Sequence, residues 1–178
     1  TSGLRVSGPA TLGNRIVNAV LSSRPGSPRQ PVGILVDDGA VQTIIGGPEA
    51  GEAVLVSGNL DGVVIRNGAR DTSMFHCEVT GHDSAGIRIV DASENGIGGV
   101  DGPTALPGVA SPDGLGPPVA WSNRIHDNKI GIEVVGATSR NNAVRGNTVT
   151  GNDSGMSVTE AIGTRLEANA IVANTGVG

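Results

Sequence analysis

Three segments of the chain fall into one register: Asn123-Arg-Ile125-His-Asp-Asn128, Asn147-Thr-Val149-Thr-Gly-Asn152 and Asn169-Ala-Ile171-Val-Ala-Asn174, at steps of 24 and 22 residues. Each is followed within three residues by a glycine (Gly131, Gly155, Gly176), and the first two glycines open short apolar alternations, Ile132-Glu-Val134 and Met156-Ser-Val158. A period of this size means one supersecondary unit stacked on copies of itself. The alternations have period two and are separated by Gly, Asn, Asp and Ser, and no window carries the longer stripe of period 3.6 that a helix needs. A strand this short cannot bury its apolar face against its sequence neighbours. It can lie parallel to its equivalent one repeat later, about 4.8 Å away, so that stacking makes one continuous core. The asparagines are expected at corners, where Asn tolerates left-handed backbone and an inward amide can bond the amide one coil on.

On these residues the sequence resembles the right-handed parallel β-helix repeat proteins of the pectin-lyase-like superfamily, in the branch with Asn-x-Ile-x-x-Asn-x-x-Gly-Ile repeats. The resemblance covers nearly the whole chain. It implies an all-β, three-sheet solenoid of about five coils plus partial end coils, in a single domain spanning 1–178. That fold hosts lyases, hydrolases, epimerases, phage spikes, adhesins and accessory proteins, so function has to be argued from the site.

Composition narrows the field. The chain has 178 residues and a net charge of −5, with its few Lys and Arg scattered, which gives no electrostatic footprint for nucleic acid. Cys77 is the sole cysteine, so no intrachain disulfide forms and the redox compartment is not revealed. No apolar run is long enough to span a bilayer, and the N-terminus lacks a basic region followed by a small-residue cleavage site. If the protein is exported, its signal is expected to have been removed. Phe75 and Trp121 are the only aromatics, and there is no Tyr. Ring stacking on sugars or bases therefore has little to work with.

Taken in order, residues 1–13 alternate weakly, and the first full coil is expected from Asn14-Arg-Ile16. Surface insertions are expected near 24–31, 46–51 and 98–120, where Gly and Pro accumulate. The second and third leave after Ile45-Gly-Gly and Ile97-Gly-Gly, which puts them at one corner, and insertions that share a corner often form a binding face. Two asparagine ladders are expected: Asn123, Asn147 and Asn169, with Cys77 substituting one coil earlier, and Asn128, Asn152 and Asn174, continued by His82 and Asn59.

Aligned Gly-Ile strands place Ile34/Val36, Val63/Ile65, Ile87/Ile89, Ile132/Val134 and Met156/Val158 inside. Outside, they stack Leu35, Val64, Arg88, Glu133 and Ser157, with Arg88 over Glu133 as a cross-coil ion pair. Leu35, Val64, Val90 and Val135 leave an apolar ribbon that either the long loop or a partner covers, and with Trp121 they make up the candidate binding surface.

Enzymes of the resembled fold supply the catalytic comparison. Polygalacturonase-like hydrolases combine separated Asp residues with Gly-His-Gly and Arg-Ile-Lys. This chain has Asp37-Asp38, Gly81-His82-Asp83 and Arg88-Ile89-Val90, a partial match without the lysine. Alginate-epimerase-like enzymes need a motif containing Tyr, which is absent. Pectate-lyase-like enzymes place an Arg base beside clustered Asp ligands for Ca²⁺. The candidates for that arrangement are Arg88 with Asp37, Asp38 and Asp91, which approach one another only across the coil holding Arg66 and Asn67. Asp37 and Asp91 lie two coils, roughly 10 Å, apart, a loose separation for paired carboxylates. His76 and His126 are expected to face outward without a second zinc ligand, and Cys77 is expected to be a buried small apolar side chain.

Two functions are expected from these residues. One is a structural or adhesive β-solenoid module of an exported or cell-surface protein, self-associating end to end or continuing into a longer β-helix, because the last repeat stops at Asn174-Thr-Gly-Val-Gly178 without a capping segment. The other is a carbohydrate-active enzyme or a polysaccharide-binding remnant of one, without a required cofactor unless Ca²⁺ serves at the carboxylates. No nucleic-acid partner is expected.

Overall fold

The computed structural model describes residues 2–24, 26–99 and 122–176. Among the described residues, eighteen strands repeat in threes, one triplet per turn. The first turn holds β1 (Ser2–Ser7), β2 (Arg15–Ile16) and β3 (Ala19–Ser22). The second holds β4 (Val32–Asp37), β5 (Ile44–Gly46) and β6 (Val54–Ser57). The third holds β7 (Asp61–Arg66), β8 (Ser73–Phe75) and β9 (Cys77–Thr80). The fourth holds β10 (Ala85–Val90), β11 (Gly96–Ile97) and β12 (Arg124–His126). The fifth holds β13 (Ile130–Val135), β14 (Ala143–Arg145) and β15 (Thr148–Thr150). The sixth holds β16 (Ser154–Thr159), β17 (Arg165–Glu167) and β18 (Ala170–Val172). Each strand pairs in parallel with its equivalent one turn away, giving three six-stranded sheets. The chain is a right-handed parallel β-helix, the hand in which parallel neighbours of one sheet are almost always connected. Among the described residues the sole helical element is a 3-10 turn at Ala50–Glu52, and no helix is long and apolar enough to cross a membrane.

Six turns form, and the first begins earlier than the repeat suggests. Ser2–Ser7 is not a lead-in: Leu4 and Val6 stand in register with Ile34 and Val36. The weak alternation there is a full strand, supported on one side by β4. The aligned interior pairs stand as expected, Ile34 with Val63, Ile87 with Ile132 and Ile132 with Met156. They merge with Ile45, Met74, Val79, Ile97, Ile125, Val144 and Val149 into one apolar column.

The corners work differently from the expected asparagine geometry. The ladder asparagine is not itself left-handed; the residue before it is. Gly58, Gly81, Asp127, Gly151 and Ala173 have φ of 67°, 70°, 57°, 66° and 53°, and each precedes one member of the row Asn59, His82, Asn128, Asn152, Asn174. The left-handed residue turns the chain, and the turn aims the next side chain inward. Three residues further on, a glycine leaves room for the asparagine of the next turn: a Cβ on Gly131 would stand 2.5 Å from the Gly155 carbonyl oxygen and 3.1 Å from Asn152 Nδ2. The glycine of each repeat thus faces the asparagine one turn on, as Gly155 faces Asn174.

Candidate functional site

Asp37 ends β4 and is 1% exposed. Its Oδ2 accepts from Arg66 Nη2 at 3.0 Å and Arg5 Nη2 at 3.2 Å, and its Oδ1 accepts from Asn67 Nδ2 at 2.8 Å and the Asp38 N–H at 2.9 Å. Burial alone would raise its pKa, but these donors together outweigh burial and hold the carboxyl below its ordinary value. With two donors on each oxygen, the carboxylate has no free position for a proton, a sugar hydroxyl or Ca²⁺. Asp38 takes Arg5 at 2.9 Å and the Ser7 hydroxyl at 3.0 Å. The cluster ties the first three turns together.

The other catalytic candidates are equally committed. Asp91 is left-handed at φ 50°, and its Oδ1 accepts from the Thr138 hydroxyl at 2.8 Å and N–H at 3.3 Å, toward the fifth turn and away from Asp37. Arg88 bridges three turns: Nε donates to Glu133 at 2.5 Å, Nη1 to Asp61 at 3.2 Å and Nη2 to Ser84 at 3.0 Å. The expected Arg88–Glu133 pair is present, and Asp61 is a partner that the outward stack alone did not reveal. Among the described residues no group of three His, Cys, Asp or Glu is placed to hold a metal ion. Asp37 and Asp38 thus sit in one ion-paired cluster, Arg88 in another with Asp61 and Glu133, and Asp91 apart from both on Thr138.

The apolar ribbon is not an open surface. Leu35 and Val64 do face outward, in the row Arg5, Leu35, Val64, Arg88, Glu133, but both are buried. Their row places them between two arginines whose aliphatic stems can lie along apolar neighbours. Val90 and Val135 are half-buried in the next row, beside Arg66. Alternation shows which face a residue takes but not what its row neighbours cover. Trp121 lies outside the described residues, as does most of the 98–120 insertion.

Both ladders form. Asn123 Nδ2 donates to Asn147 Oδ1 at 2.9 Å, and Asn147 Nδ2 to Asn169 Oδ1 at 3.0 Å; Cys77 joins through its N–H on Asn123 Oδ1 at 2.9 Å. In the second row Asn128 and Asn152 donate to Asn152 and Asn174 at 2.9 and 3.0 Å. His82 donates its N–H to Asn128 Oδ1 at 3.1 Å, and its Nδ1 accepts the Asn59 N–H at 3.1 Å. Its Nε2 faces the Val56 carbonyl at 3.2 Å, which requires the neutral ring with the proton on Nε2. Burial lowers its pKa. Cys77 is buried and its thiol is pushed up to about 12 by burial, so it is no nucleophile. A third ladder went unread: Asn95 Nδ2 donates to Asn142 Oδ1 at 3.1 Å, and the Thr72 N–H to Asn95 Oδ1 at 2.9 Å. The shared signal is Asn-Gly-Ile97 against Asn-Ala-Val144, separated by 47 residues because the long insertion intervenes.

Besides depressions of about 600 Å³ at Asn67, Asp91, Thr138 and Arg140 and about 420 Å³ at Asp83, Asp127 and Asp153, two open features bear on function. On the outer face of the third sheet, a depression of about 520 Å³ is lined by Val20, Leu55, His76, Glu78, Ser122 and Arg124. It sits beside the corner between β5 and β6, where β11 also ends. Glu78 pairs there with Arg124 at 3.5 Å and His126 at 2.9 Å. The second feature is the sixth turn. Val158, Leu166 and Ile171 stand in register with Val134, Val144 and Val149, which are 1%, 0% and 0% exposed, yet they themselves are 41%, 47% and 42% exposed.

No protein-family model matches the sequence, and no curated protein matches it. Among solved structures, the A-module of the mannuronan C-5 epimerase AlgE6 of Azotobacter vinelandii is similar to this chain at 16% identity and a TM-score of 0.40. The similarity covers 99% of this chain and 54% of that one, so the chain spans about half the length of that structure.

Proposed function

We propose that this chain is a structural module of a β-solenoid, built to hold successive turns on one another. One observation carries the reading: the asparagine rows and the interior apolar positions recur turn upon turn, each turn bonded to its neighbours around one apolar column. The commitment of Asp37, Asp91, Arg88 and His82 to internal bonds adds support, since it leaves them to hold turns together. The test is to insert a copy of residues 153–174 between Asn174 and Thr175, in register with the repeat. Amide exchange at Leu166 and Ile171 is expected to slow by about tenfold or more once they become interior. Unchanged exchange in a chain whose added coil is present would overturn the proposal.

A second reading, binding of an extended acidic polysaccharide across the third sheet, is favoured by the depression at Val20, Leu55 and Arg124. Arg124 is 63% exposed, within reach of a ligand carboxylate. Titration with oligouronates should shift the amide signals of these residues and lose its effect in Arg124→Ala. Absence of any shift at millimolar ligand would dismiss it.

A further inference from the structure

Residues 26–31, in the first insertion, are fastened to the corner that holds His82. Arg29 Nη1 donates to the Gly81 carbonyl at 2.5 Å and reaches the Asn59 carbonyl at 3.5 Å, and its Nε pairs with Asp83 at 3.1 Å. Gly81 and Asp83 flank His82 in the chain, and Asn59 donates its N–H to the His82 ring. The ends of the insertion are tied to the same place. The Ser23 hydroxyl donates to Asn59 Oδ1 at 3.1 Å and accepts the Gln30 N–H at 2.9 Å. The Gln30 and Pro31 carbonyls accept the N–H groups of Leu60 and Asp61 at 2.8 and 3.0 Å. Asn59 thus bonds the ring through its N–H and the insertion through its carbonyl and side chain.

A second proton on the ring would sit on Nδ1 and reverse one of these bonds. Nδ1–H would meet the Asn59 N–H at 3.1 Å donor to donor, and turn to the Asn59 carbonyl at 3.3 Å. That oxygen has two lone pairs and already meets the Asp83 N–H at 3.3 Å and Arg29. The charged ring and Arg29 therefore compete for one carbonyl and repel each other. Among the other charges, Asp61 in β7 favours the charged ring, but it is engaged by Arg88. Asp83, Asp127, Lys129 and Asp153 line the depression that His82 shares. The bond from the His82 N–H to Asn128 and the pairing of β9 with β6 do not involve the ring.

We infer that residues 26–31 form an acid-released strap: proton uptake by His82 displaces Arg29 from the Asn59 and Gly81 carbonyls, and the strap leaves the corner while the solenoid beneath it stays folded. A ring freed to titrate at the ordinary 6.5 draws this equilibrium by up to about 30-fold at pH 5.

The experiment compares amide protection factors at pH 7 and pH 5, with the intrinsic pH dependence of exchange divided out. The Gln30 and Asp61 amides, whose acceptors belong to the insertion, are expected to lose about ten- to thirtyfold in protection at pH 5, while Ile87 and Ile89 keep theirs. In His82→Asn, which offers Asn59 an acceptor that gains no proton, the loss should vanish. A loss of the same size in His82→Asn overturns the inference, and so does a parallel loss at Ile87 and Ile89. Should His82→Asn fail to fold, Arg29→Ala gives a second test, because Gln30 is then expected to be poorly protected at both pH values, and a persisting tenfold step overturns the inference. In the unaltered chain the midpoint of release should coincide with that of the His82 ring resonances in an NMR titration. Separate midpoints would assign the release to another group and overturn it.

Discussion

At the scale of single residues, the amides of Asn123, Asn128, Asn147 and Asn152 are buried with partners on both sides, and such groups are costly to lose. Asn147→Ala strands the Asn123 amide and the Ile97 carbonyl inside the solenoid, and is expected to cost about 1–3 kcal/mol in urea unfolding. His82 gives a pH dependence. Burial disfavours its charged form, so the unfolded chain takes up a proton near the ordinary pKa of 6.5 that the native ring refuses. Its contribution is therefore complete above pH 6.5 and declines as pH falls below it, down to the lowered native value. His82→Asn, which keeps a side-chain acceptor in the row, is expected to flatten the urea midpoint between pH 5 and 6.5. Asp37, held below its ordinary value of 3.8 chiefly by Arg66 against the opposing effect of burial, should add a separate loss only at more acid pH.

At the scale of the repeated element, the close approach of the next turn's backbone and asparagine makes glycine a packing requirement. Gly131→Ala would drive a methyl into the Gly155 carbonyl and the Val149 side chain and is expected to cost about 1–3 kcal/mol. Gly51→Ala, with nothing within 4 Å of the added carbon, should stay within about 0.5 kcal/mol. Much of this element was legible in the sequence, because Asn128, Asn152 and Asn174 recur at steps set by one turn of backbone. The strand facing was legible for the same reason, since alternation assigns Ile87 and Ile89 inward without ambiguity. What stayed hidden depended on neighbours one turn away. The Asn95–Asn142 rung was masked by the intervening insertion and by threonines at the matching positions 43 and 72. The left-handed residue was assigned one place too late, because asparagine and the glycine, aspartate or alanine before it are all tolerable there. The carboxylates read as catalytic candidates because only coordinates reveal that Arg5, Arg66 and Asn67 converge on Asp37.

At the scale of the whole molecule, cohesion runs along the axis, each turn held by the turns beside it. One row offers a controlled comparison, since Ile125, Val149 and Ile171 share an interior position. Ile125→Ala, fully enclosed in the fourth turn, is expected to cost about 2–5 kcal/mol. Ile171→Ala, with 42% of its surface already in water, should cost less than about half as much in the same assay. Equal costs would mean that the sixth turn is closed in solution.

The stacking of turns also has a mechanical meaning. Under a pulling force applied at its two ends, the molecule should not yield as a single globule. The first and the sixth turns each grip only one neighbour and would peel before the rest, after which the next turn becomes the exposed one and inherits the same weakness. Release of the sixth or the fifth turn frees 22–24 residues, about 75–85 Å of contour at ~3.5 Å per residue. The step that crosses from Asn123 back to Cys77 frees 46, about 160 Å, and the step from Ile34 back to Leu4 frees 30, about 105 Å. A force–extension trace should therefore read like a ruler with unequal marks and one interval longer than the rest, and the place of that interval in the series would tell from which end the solenoid comes apart.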